Sequence, residues 1–191
     1  MLLAYGIPHL FPVGIPDEIL PHQEWLGRKI VFADSIQKAP LIFSYLRADK
    51  LFIKSAGRVK TNFTDIYDRT TPLPITSDPI MFSEKIQIKS EWRAFVFRQR
   101  LMDIRCYSGD PWLIPNKSAV MSMIDAVGQK YPAYALDVAV IPTESGFQTV
   151  IIEVHNFISC GLYGAVLPLG MYASAYRFEL QSWKTRSKAA K

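Results

Sequence analysis

The sequence predicts an α+β fold built on antiparallel sheet. Apolar and polar residues alternate through Ile80–Ile88 and Trp92–Arg98, as they do in strands with one buried face. Two apolar runs, Ala135–Ile141 and Phe147–Val154, flank the tight turn Thr143–Gly146 and predict a hairpin. Because short turns join strands that run in opposite directions, the sheet is expected to be antiparallel.

The N-terminal part of the chain predicts loops before the first regular elements. Residues 1–29 contain four prolines, which interrupt helices and sheet ladders, and predict loops with short extended pieces. Lys29–Ala33 then predicts a strand. Asp34, with Gln37 three residues later, predicts the start of a helix that reaches about Ala48.

The remaining predictions, in chain order, are a strand over Leu51–Ser55, a connection over 65–79, a strand over Arg100–Tyr107 after a turn at Gln99-Arg100, a helix from Asn116 or Ser118 to about Lys130, a glycine-rich loop over His155–Pro168 and a helix over Met171–Trp183.

The composition is that of a globular protein. Hydrophobic residues make up 49% and charged residues 20% of 191 residues, and no apolar run reaches the roughly 18 residues of a membrane helix. The two cysteines, Cys106 and Cys160, do not make a disulfide framework, so we expect reduced, buried thiols and a cytoplasmic protein without a membrane partner. The net charge of +5 fits polyphosphate ligands, nucleic acid or a plain basic surface.

Lys54 ends an apolar strand and precedes a loop with a glycine, several basic residues and hydroxyl groups. A lysine in this position can place a point charge on a phosphate, and Lys60–Thr64 could add further phosphate contacts. A surface lysine beside a basic loop explains the same pattern without a ligand.

Glu91 and Arg93 are two residues apart on a predicted strand and therefore share a face. With a turn near Gln99-Arg100, Arg105 on the next strand comes to about the level of Arg93. Two arginines and a carboxylate on one face predict an anion site. A cross-strand ion pair without a ligand is the alternative.

Asp137 and Glu153 lie in the two apolar strands of the predicted hairpin. Counted from the centre of its turn, they are 7.5 and 8.5 residues away, so they fall nearly opposite each other. Two facing carboxylates in apolar strands repel unless a cation lies between them, and Mg²⁺ bound to carboxylates and nucleotide phosphates is one solution. Ion pairs with Arg93 or Arg105 are the alternative.

These residues together resemble the pattern of ATP-grasp ligases, especially the RimK-like clade of carboxylate–amine ligases. The resemblance lies mainly in Glu91-Trp92-Arg93, in Arg105, in Asp137 and in the run Glu153-Val154-His155-Asn156. It implies an ATP-grasp-like α+β fold with antiparallel sheets and flanking helices in two small lobes. It also implies ATP and magnesium as cofactors, and an acyl-phosphate intermediate that an amine displaces.

The resemblance further implies a role for each matching residue. Arg93 and Arg105 would stabilise the intermediate, and Asp137 and Glu153 would hold magnesium, with Asn156 or His155 as a further ligand. The remaining residues would contact the nucleotide: Lys54, Lys60 and Thr64 its phosphates, Glu84 the adenine, and Glu91 the ribose. Unknown carboxylate and amine substrates, including a peptide or protein, would be the partners.

The chain departs from the family pattern at two places. His155 stands where the family has asparagine, so either Asn156 takes that role or the metal site is altered, because imidazole suits softer metals than magnesium. A histidine that binds nothing is a further alternative. The segment before Lys54 is short, so we expect the domain that usually precedes the ATP-grasp lobes to be reduced or absent.

The expected organisation is a reduced N-terminal segment over 1–50, a small lobe with the phosphate loop over 51–88, a large lobe with the magnesium site over 89–183 and a basic tail over 184–191. Two other functions compete with the ligase. A non-catalytic ATP-grasp descendant would bind nucleotide or a partner protein. A nucleic-acid-binding protein would use the net charge and the aromatic residues Trp92, Tyr107 and Trp112, although no nucleic-acid-binding signature is present.

Overall fold

Two four-stranded antiparallel sheets form the framework of the computed structural model, which describes residues 14–56 and 64–189. The helices are α1 (Gln23–Leu26), α2 (Ala39–Leu46), α3 (Lys117–Val127) and α4 (Leu169–Ala189), with short 3-10 helices over Ile36–Lys38 and Phe157–Ser159. The strands are β1 (Ile30–Ala33), β2 (Lys50–Ser55), β3 (Thr64–Asp68), β4 (Ile80–Glu84), β5 (Ser90–Phe97), β6 (Arg100–Gly109), β7 (Ala133–Thr143) and β8 (Gly146–Asn156). The antiparallel α+β class predicted from the sequence is confirmed.

The chain divides into two compact units. The small unit comprises Leu26–Gln87, and the large unit comprises Met1–Trp25 with Ile88–Lys191. The small unit contains the sheet β1-β4-β2-β3, and the large unit contains the sheet β6-β5-β7-β8. Residues 26–50, which we expected in a separate N-terminal segment, therefore supply β1 and α2 to the small unit.

The small unit packs α2 against its own sheet. Ser35 caps the 3-10 helix that leads into α2, because its Oγ accepts a hydrogen bond from the Gln37 N–H. Pro40 is the second residue of α2, where its missing N–H has no partner to lose. On the inner face of α2, Phe43 packs in a buried cluster with Ile53 and Phe82 from the strands.

One strand of the small unit was missed by the sequence analysis. The stretch predicted as a connection begins with β3, which pairs with β2 from Lys50↔Asp68 to Lys54↔Thr64. An edge strand can carry charged residues such as Asp65 and Asp68, and these obscure the apolar alternation. The neighbouring prediction is also corrected, because β4 ends at Glu84 rather than at Ile88.

The large unit buries the central strands β5 and β7. Asn116 caps α3 through a hydrogen bond that its Oδ1 accepts from the Ala119 N–H, which decides between the two predicted caps. Phe95, Phe157 and Met171 form a buried cluster that joins the sheet to the start of α4. Within the described part of the chain, no helix combines the length and the apolar composition that a membrane crossing requires.

Two hairpins with bulges set the register of the large sheet. The β5–β6 turn is Arg98-Gln99, one residue earlier than predicted, and both residues have positive φ, 49° and 60°. A bulge between Phe95 and Val96 then shifts the pairing by one residue. The β7–β8 turn lies between Thr143 and Gly146, as predicted, and a shift between Asp137 and Val138 follows it.

Candidate functional site

A row of four charged residues crosses the large sheet from edge to edge. The register pairs Arg105 with Arg93, Arg93 with Asp137, and Asp137 with Glu153. Residues directly opposite each other on antiparallel strands project from the same face, so all four side chains leave one face of the sheet. The predicted levels of the arginine pair and of the carboxylate pair are therefore confirmed.

Arg93 and Asp137 form a buried, two-pronged ion pair at the centre of this row. The Arg93 Nε and Nη2 atoms donate to the two Asp137 carboxylate oxygens, each over 2.7 Å, and Arg93 Nη1 donates to the Gly161 carbonyl over 3.2 Å. Only 6% of Arg93 and 2% of Asp137 are exposed. The ion-pair alternative raised by the sequence is thus realised, and Arg93 holds Asp137 in place.

His155 joins the two carboxylates on the other side of the row. It shares a face of β8 with Glu153, and its Nε2 lies 2.7 Å from Glu153 Oε1 and 3.0 Å from Asp137 Oδ2. One donor atom from each of the three residues lies within 4.8 Å of the others, which is close enough for all three to share one metal ion. The structure thus brings Asp137, Glu153 and His155 into one cluster.

The protonation of this cluster follows from burial and its ion pairs. Burial alone would raise the pKa of Asp137, but hydrogen bonds from Arg93 and His155 outweigh it and hold that pKa below its usual value. For His155, burial lowers the pKa, and the hydrogen bonds to Asp137 and Glu153 reverse the direction and raise it. The imidazole in this arrangement therefore favours its charged form between two carboxylates.

Two tyrosines that the sequence analysis did not assign to the site enclose Arg93. The rings of Tyr107 and Tyr163 stack with their centroids 5.1 Å apart, and the Arg93 Cζ lies 5.5 and 5.2 Å from those centroids. Tyr163 has a positive φ of 49° within a segment that also contains Gly161 and Gly164. The glycine-rich context was visible in the sequence, whereas the stacking depends on the fold.

Tyr107 also links the ion pair to Glu91. Its hydroxyl lies 3.3 Å from Glu91 Oε1 and 3.4 Å from Asp137 Oδ2, and it can donate to either. Burial, with the nearby charges of Asp137 and Glu91, raises the pKa of Tyr107 well above its ordinary value, so the hydroxyl stays a donor. Burial also raises the pKa of Glu91. Glu91 therefore borders the cluster, and its ribose contact stays a prediction.

Arg105 stands apart from the buried cluster although it is in the same row. On the edge strand β6, its Nε and Nη2 donate to Asp103 Oδ2 over 2.9 and 2.8 Å, and 45% of its side chain is exposed. Its guanidinium is available at the surface in a way that the buried Arg93 is not. The geometry favours a positioning role for Arg93 and an anion contact for Arg105, and the catalytic role of both stays a prediction.

Asn156 is not brought into the cluster. Its side chain donates a hydrogen bond to the buried Glu179 on α4, and its Oδ1 accepts one from the Ile158 N–H as the cap of a 3-10 helix. These contacts tie Asn156 to the packing of α4. Of the two candidates for the further metal ligand, the geometry therefore favours His155 over Asn156.

The predicted nucleotide contacts lie in the small unit. Lys54 is a partly buried residue of β2, opposite Thr64 and Met81. Glu84 ends β4, where its carboxylate accepts a hydrogen bond from the Lys29 N–H over 2.8 Å. Lys60 lies outside the described residues, as does the side chain of Thr64. The nucleotide roles of all four residues stay predictions.

The donor set of the cluster fits a divalent cation but only part of it suits magnesium. The carboxylates of Asp137 and Glu153 are hard oxygen donors of the kind that Mg²⁺ prefers. The third donor, the His155 imidazole, suits zinc, iron and their neighbours better than magnesium. The two thiols add no ligand. Cys106 and Cys160 are free but only partly buried, and burial raises the pKa of Cys160 to about 11.

Solved structures with a similar fold are ATP-grasp proteins. The ATP-grasp ligase PsnB, solved with a minimal precursor, has a TM-score of 0.53 at 10% identity, over 77% of this chain and 52% of PsnB. A RimK domain ATP-grasp protein from Sphaerobacter thermophilus DSM 20745 has a TM-score of 0.51 at 16% identity, over 74% of this chain and 57% of that one. The chain spans little more than half the length of either, and it has the ATP-grasp fold.

The family assignment follows from the sequence itself. Residues 25–168 match the model of an ATP-grasp domain family, the second family of its clade. Because this match covers more than half of the chain, the protein belongs to that family. No curated protein sequence matches it. The resemblance to ATP-grasp ligases that the sequence indicated is therefore confirmed.

Proposed function

We propose that the protein is an ATP- and magnesium-dependent carboxylate–amine ligase that acts through an acyl-phosphate intermediate. The observation that carries the proposal is the pair of facing carboxylates, Asp137 and Glu153, held by Arg93 in a chain of the ATP-grasp family. Opposed carboxylates on one sheet face are costly unless a cation is bound with them. ATP-bound magnesium supplies such a cation.

The proposed reaction has two steps. A substrate carboxylate oxygen attacks the γ-phosphorus of ATP and ADP leaves, and then an amine attacks the acyl carbon, phosphate leaves and the amine loses a proton. When bound, the metal neutralises charge on the phosphates, and Asp137 and Glu153 would hold it. Arg93 fixes the Asp137 carboxylate, and Arg105 offers its exposed guanidinium to an anion on the same face.

The proposed acceptor is a peptide or protein. PsnB, which shares the fold, is solved with a minimal precursor, and this supports a substrate of similar kind. The small unit contributes Lys54 to the proposal as the phosphate contact, in keeping with its position on β2. We keep the cytoplasm, where ATP is available, as the expected location.

The proposal is tested by measuring ADP release with ATP, magnesium and a panel of carboxylates and amines that includes peptides. We expect Asp137→Asn and Glu153→Gln to lower turnover by about 100-fold or more, because each removes a charge that holds the cation. Glu144→Gln is the matched control, since Glu144 is exposed in the turn of the same hairpin and should leave turnover unchanged. Full activity in both cluster variants would refute the proposal.

A non-catalytic nucleotide-binding protein is the second candidate. The observation that favours it is the neutralisation of the carboxylates by Arg93 and His155, which balances the cluster without a metal. An ATP-induced rise in Tm without ADP release from any substrate pair would identify this function. A nucleic-acid-binding function is less supported, because Trp92 is 9% exposed and Tyr107 is engaged with the cluster, which leaves Trp112 as the exposed member of the three.

A further inference from the structure

The imidazole of His155 changes which metal the cluster should select. We propose that Asp137, Glu153 and His155 form a mixed oxygen–nitrogen site that binds a divalent first-row transition metal, such as Mn²⁺, in preference to Mg²⁺. The inference deepens the proposed function, on which its catalytic meaning rests, because it concerns the cation of the same site. It is tested without nucleotide, so the two can fail separately.

The spacing of the three donor atoms matches that of ligands on one ion. Metal–ligand bonds of about 2.1 Å at right angles hold neighbouring ligand atoms about 3 Å apart. The His155 Nε2 lies 2.7 Å from Glu153 Oε1 and 3.0 Å from Asp137 Oδ2. A cation that displaces the shared proton can therefore be reached by all three residues with small side-chain movements.

The cluster is also held rigidly enough to favour one geometry. Asp137 is fixed by two hydrogen bonds from Arg93, and His155 and Glu153 project from the same strand, with 12% and 18% of their side chains exposed. Ligand atoms that are positioned before binding lose little conformational entropy when the ion arrives. The exposed fraction of each is enough for an ion to enter while most water is excluded.

The chemistry of the donors then decides the selectivity. Magnesium binds oxygen donors and holds its water strongly, so an imidazole adds little to its affinity. Manganese and the later first-row ions accept carboxylate oxygen and imidazole nitrogen together, and their affinity for such sites rises along the series. With one nitrogen among three protein donors, the site should discriminate against magnesium.

The test measures the binding of Mn²⁺ to the whole protein in the absence of nucleotide, from the loss of the electron paramagnetic resonance signal of free Mn²⁺. We expect Mn²⁺ to bind at least about tenfold more tightly than Mg²⁺, which is added as a competitor. His155→Asn replaces the nitrogen by an oxygen donor and should weaken Mn²⁺ binding by about tenfold while changing Mg²⁺ binding by less than about threefold.

His22→Asn is the matched control. His22 belongs to the same unit and also contacts a carboxylate, Glu24, but its side chain is 40% exposed and it lies outside the cluster. This variant should bind Mn²⁺ as the wild type does. Equal affinities of the wild type for the two metals, or no loss of Mn²⁺ affinity in His155→Asn, would overturn the inference.

A spectroscopic measurement on the wild type covers the case in which His155→Asn does not fold. Electron spin echo modulation of the Mn²⁺-loaded protein should show coupling to an imidazole ¹⁴N nucleus, and its absence would overturn the inference. The outcome is independent of ATP. Failure of the protein to bind or hydrolyse ATP would refute the ligase proposal while leaving the metal preference standing.

Discussion

The Asp137 carboxylate lies within hydrogen-bonding distance of three side chains, those of Arg93, His155 and Tyr107. An ionised carboxylate with 2% exposure is tolerated only with such partners, because burial removes its hydration. The same partners keep its oxygens at the centre of the row of charges. At the scale of residues, therefore, the stability of the sheet and the function proposed for it depend on the same group.

Arg93→Met is expected to destabilise the protein strongly. The substitution leaves the buried Asp137 carboxylate without its main partner, and removing one member of a buried ion pair costs about 3–5 kcal/mol. The free energy of unfolding in urea, monitored by tryptophan fluorescence, measures this loss.

Arg105→Met provides the matched control for that measurement. Arg105 is paired with Asp103 at the surface, where an ion pair contributes about 0–1 kcal/mol. If both variants lost the same free energy of unfolding, burial of the Arg93–Asp137 pair would not be what matters. Addition of Asp137→Leu to Arg93→Met should restore part of the stability, because it removes the uncompensated charge.

The two bulged hairpins determine which face their charged residues occupy. From the turn Thr143–Gly146, one-to-one pairing would place Asp137 opposite Ile152, yet Asp137 lies opposite Glu153. Likewise, the pair Phe97↔Arg100 would place Arg93 opposite Ile104 without the bulge, yet it lies opposite Arg105. A shift of one residue moves a side chain to the other face, so each bulge brings a charged residue into the row.

The β5–β6 turn offers a test at the scale of elements. Arg98 and Gln99 both have positive φ, which costs free energy in residues with a Cβ, and Asn-Gly is the pair that such two-residue turns favour. We expect the double substitution Arg98→Asn with Gln99→Gly to raise the free energy of unfolding by about 1 kcal/mol.

The β7–β8 turn is the control, since Glu144 and Ser145 do not have positive φ. The same Asn-Gly pair at Glu144 and Ser145 should leave stability unchanged or lower it. An equal gain at both turns would show that the effect comes from composition rather than from backbone conformation. Chemical denaturation of the two variants side by side gives the comparison.

At the scale of the whole molecule, each unit has its own sheet and its own core. The buried cluster around Phe43 and Phe82 lies entirely within the small unit, and the cluster around Phe95 and Phe157 lies entirely within the large one. The large unit is built from two stretches of the chain, since residues 14 and 154 form a backbone bridge. Each unit can therefore be perturbed through its own core.

Phe82→Ala is expected to unfold the small unit at lower denaturant than the large one. Truncating a fully buried phenylalanine costs about 3–5 kcal/mol, and Phe82 is 0% exposed. All four tryptophans, residues 25, 92, 112 and 183, belong to the large unit, so their fluorescence reports on that unit. Circular dichroism, which reports on both, should show an earlier transition than fluorescence does.

Phe95→Ala is the matched change in the core of the large unit, where Phe95 is also 0% exposed. It should move the fluorescence transition itself to lower denaturant. Coincident transitions by both methods in Phe82→Ala would contradict the prediction and would show that the chain unfolds as one cooperative body.

Local pattern in the sequence predicted a large part of the fold and the main members of the site. Alternation identified the strands of the large sheet, and two charged residues within apolar runs identified Asp137 and Glu153. These predictions succeeded because a buried charge and a period of two are properties of a few neighbouring residues. The strand β3 was missed because an edge strand needs no clear apolar face.

What the sequence by itself determined, then, is the ATP-grasp family and the residue types of the site, since those depend on composition and spacing along the chain. The tertiary structure decided which of these residues meet. The two bulges set the row of charges, the burial of Arg93 paired it with Asp137, and α4 drew Asn156 away so that His155 meets both carboxylates. Register shifts and packing depend on residues far apart in the chain, and local patterns carry no record of them.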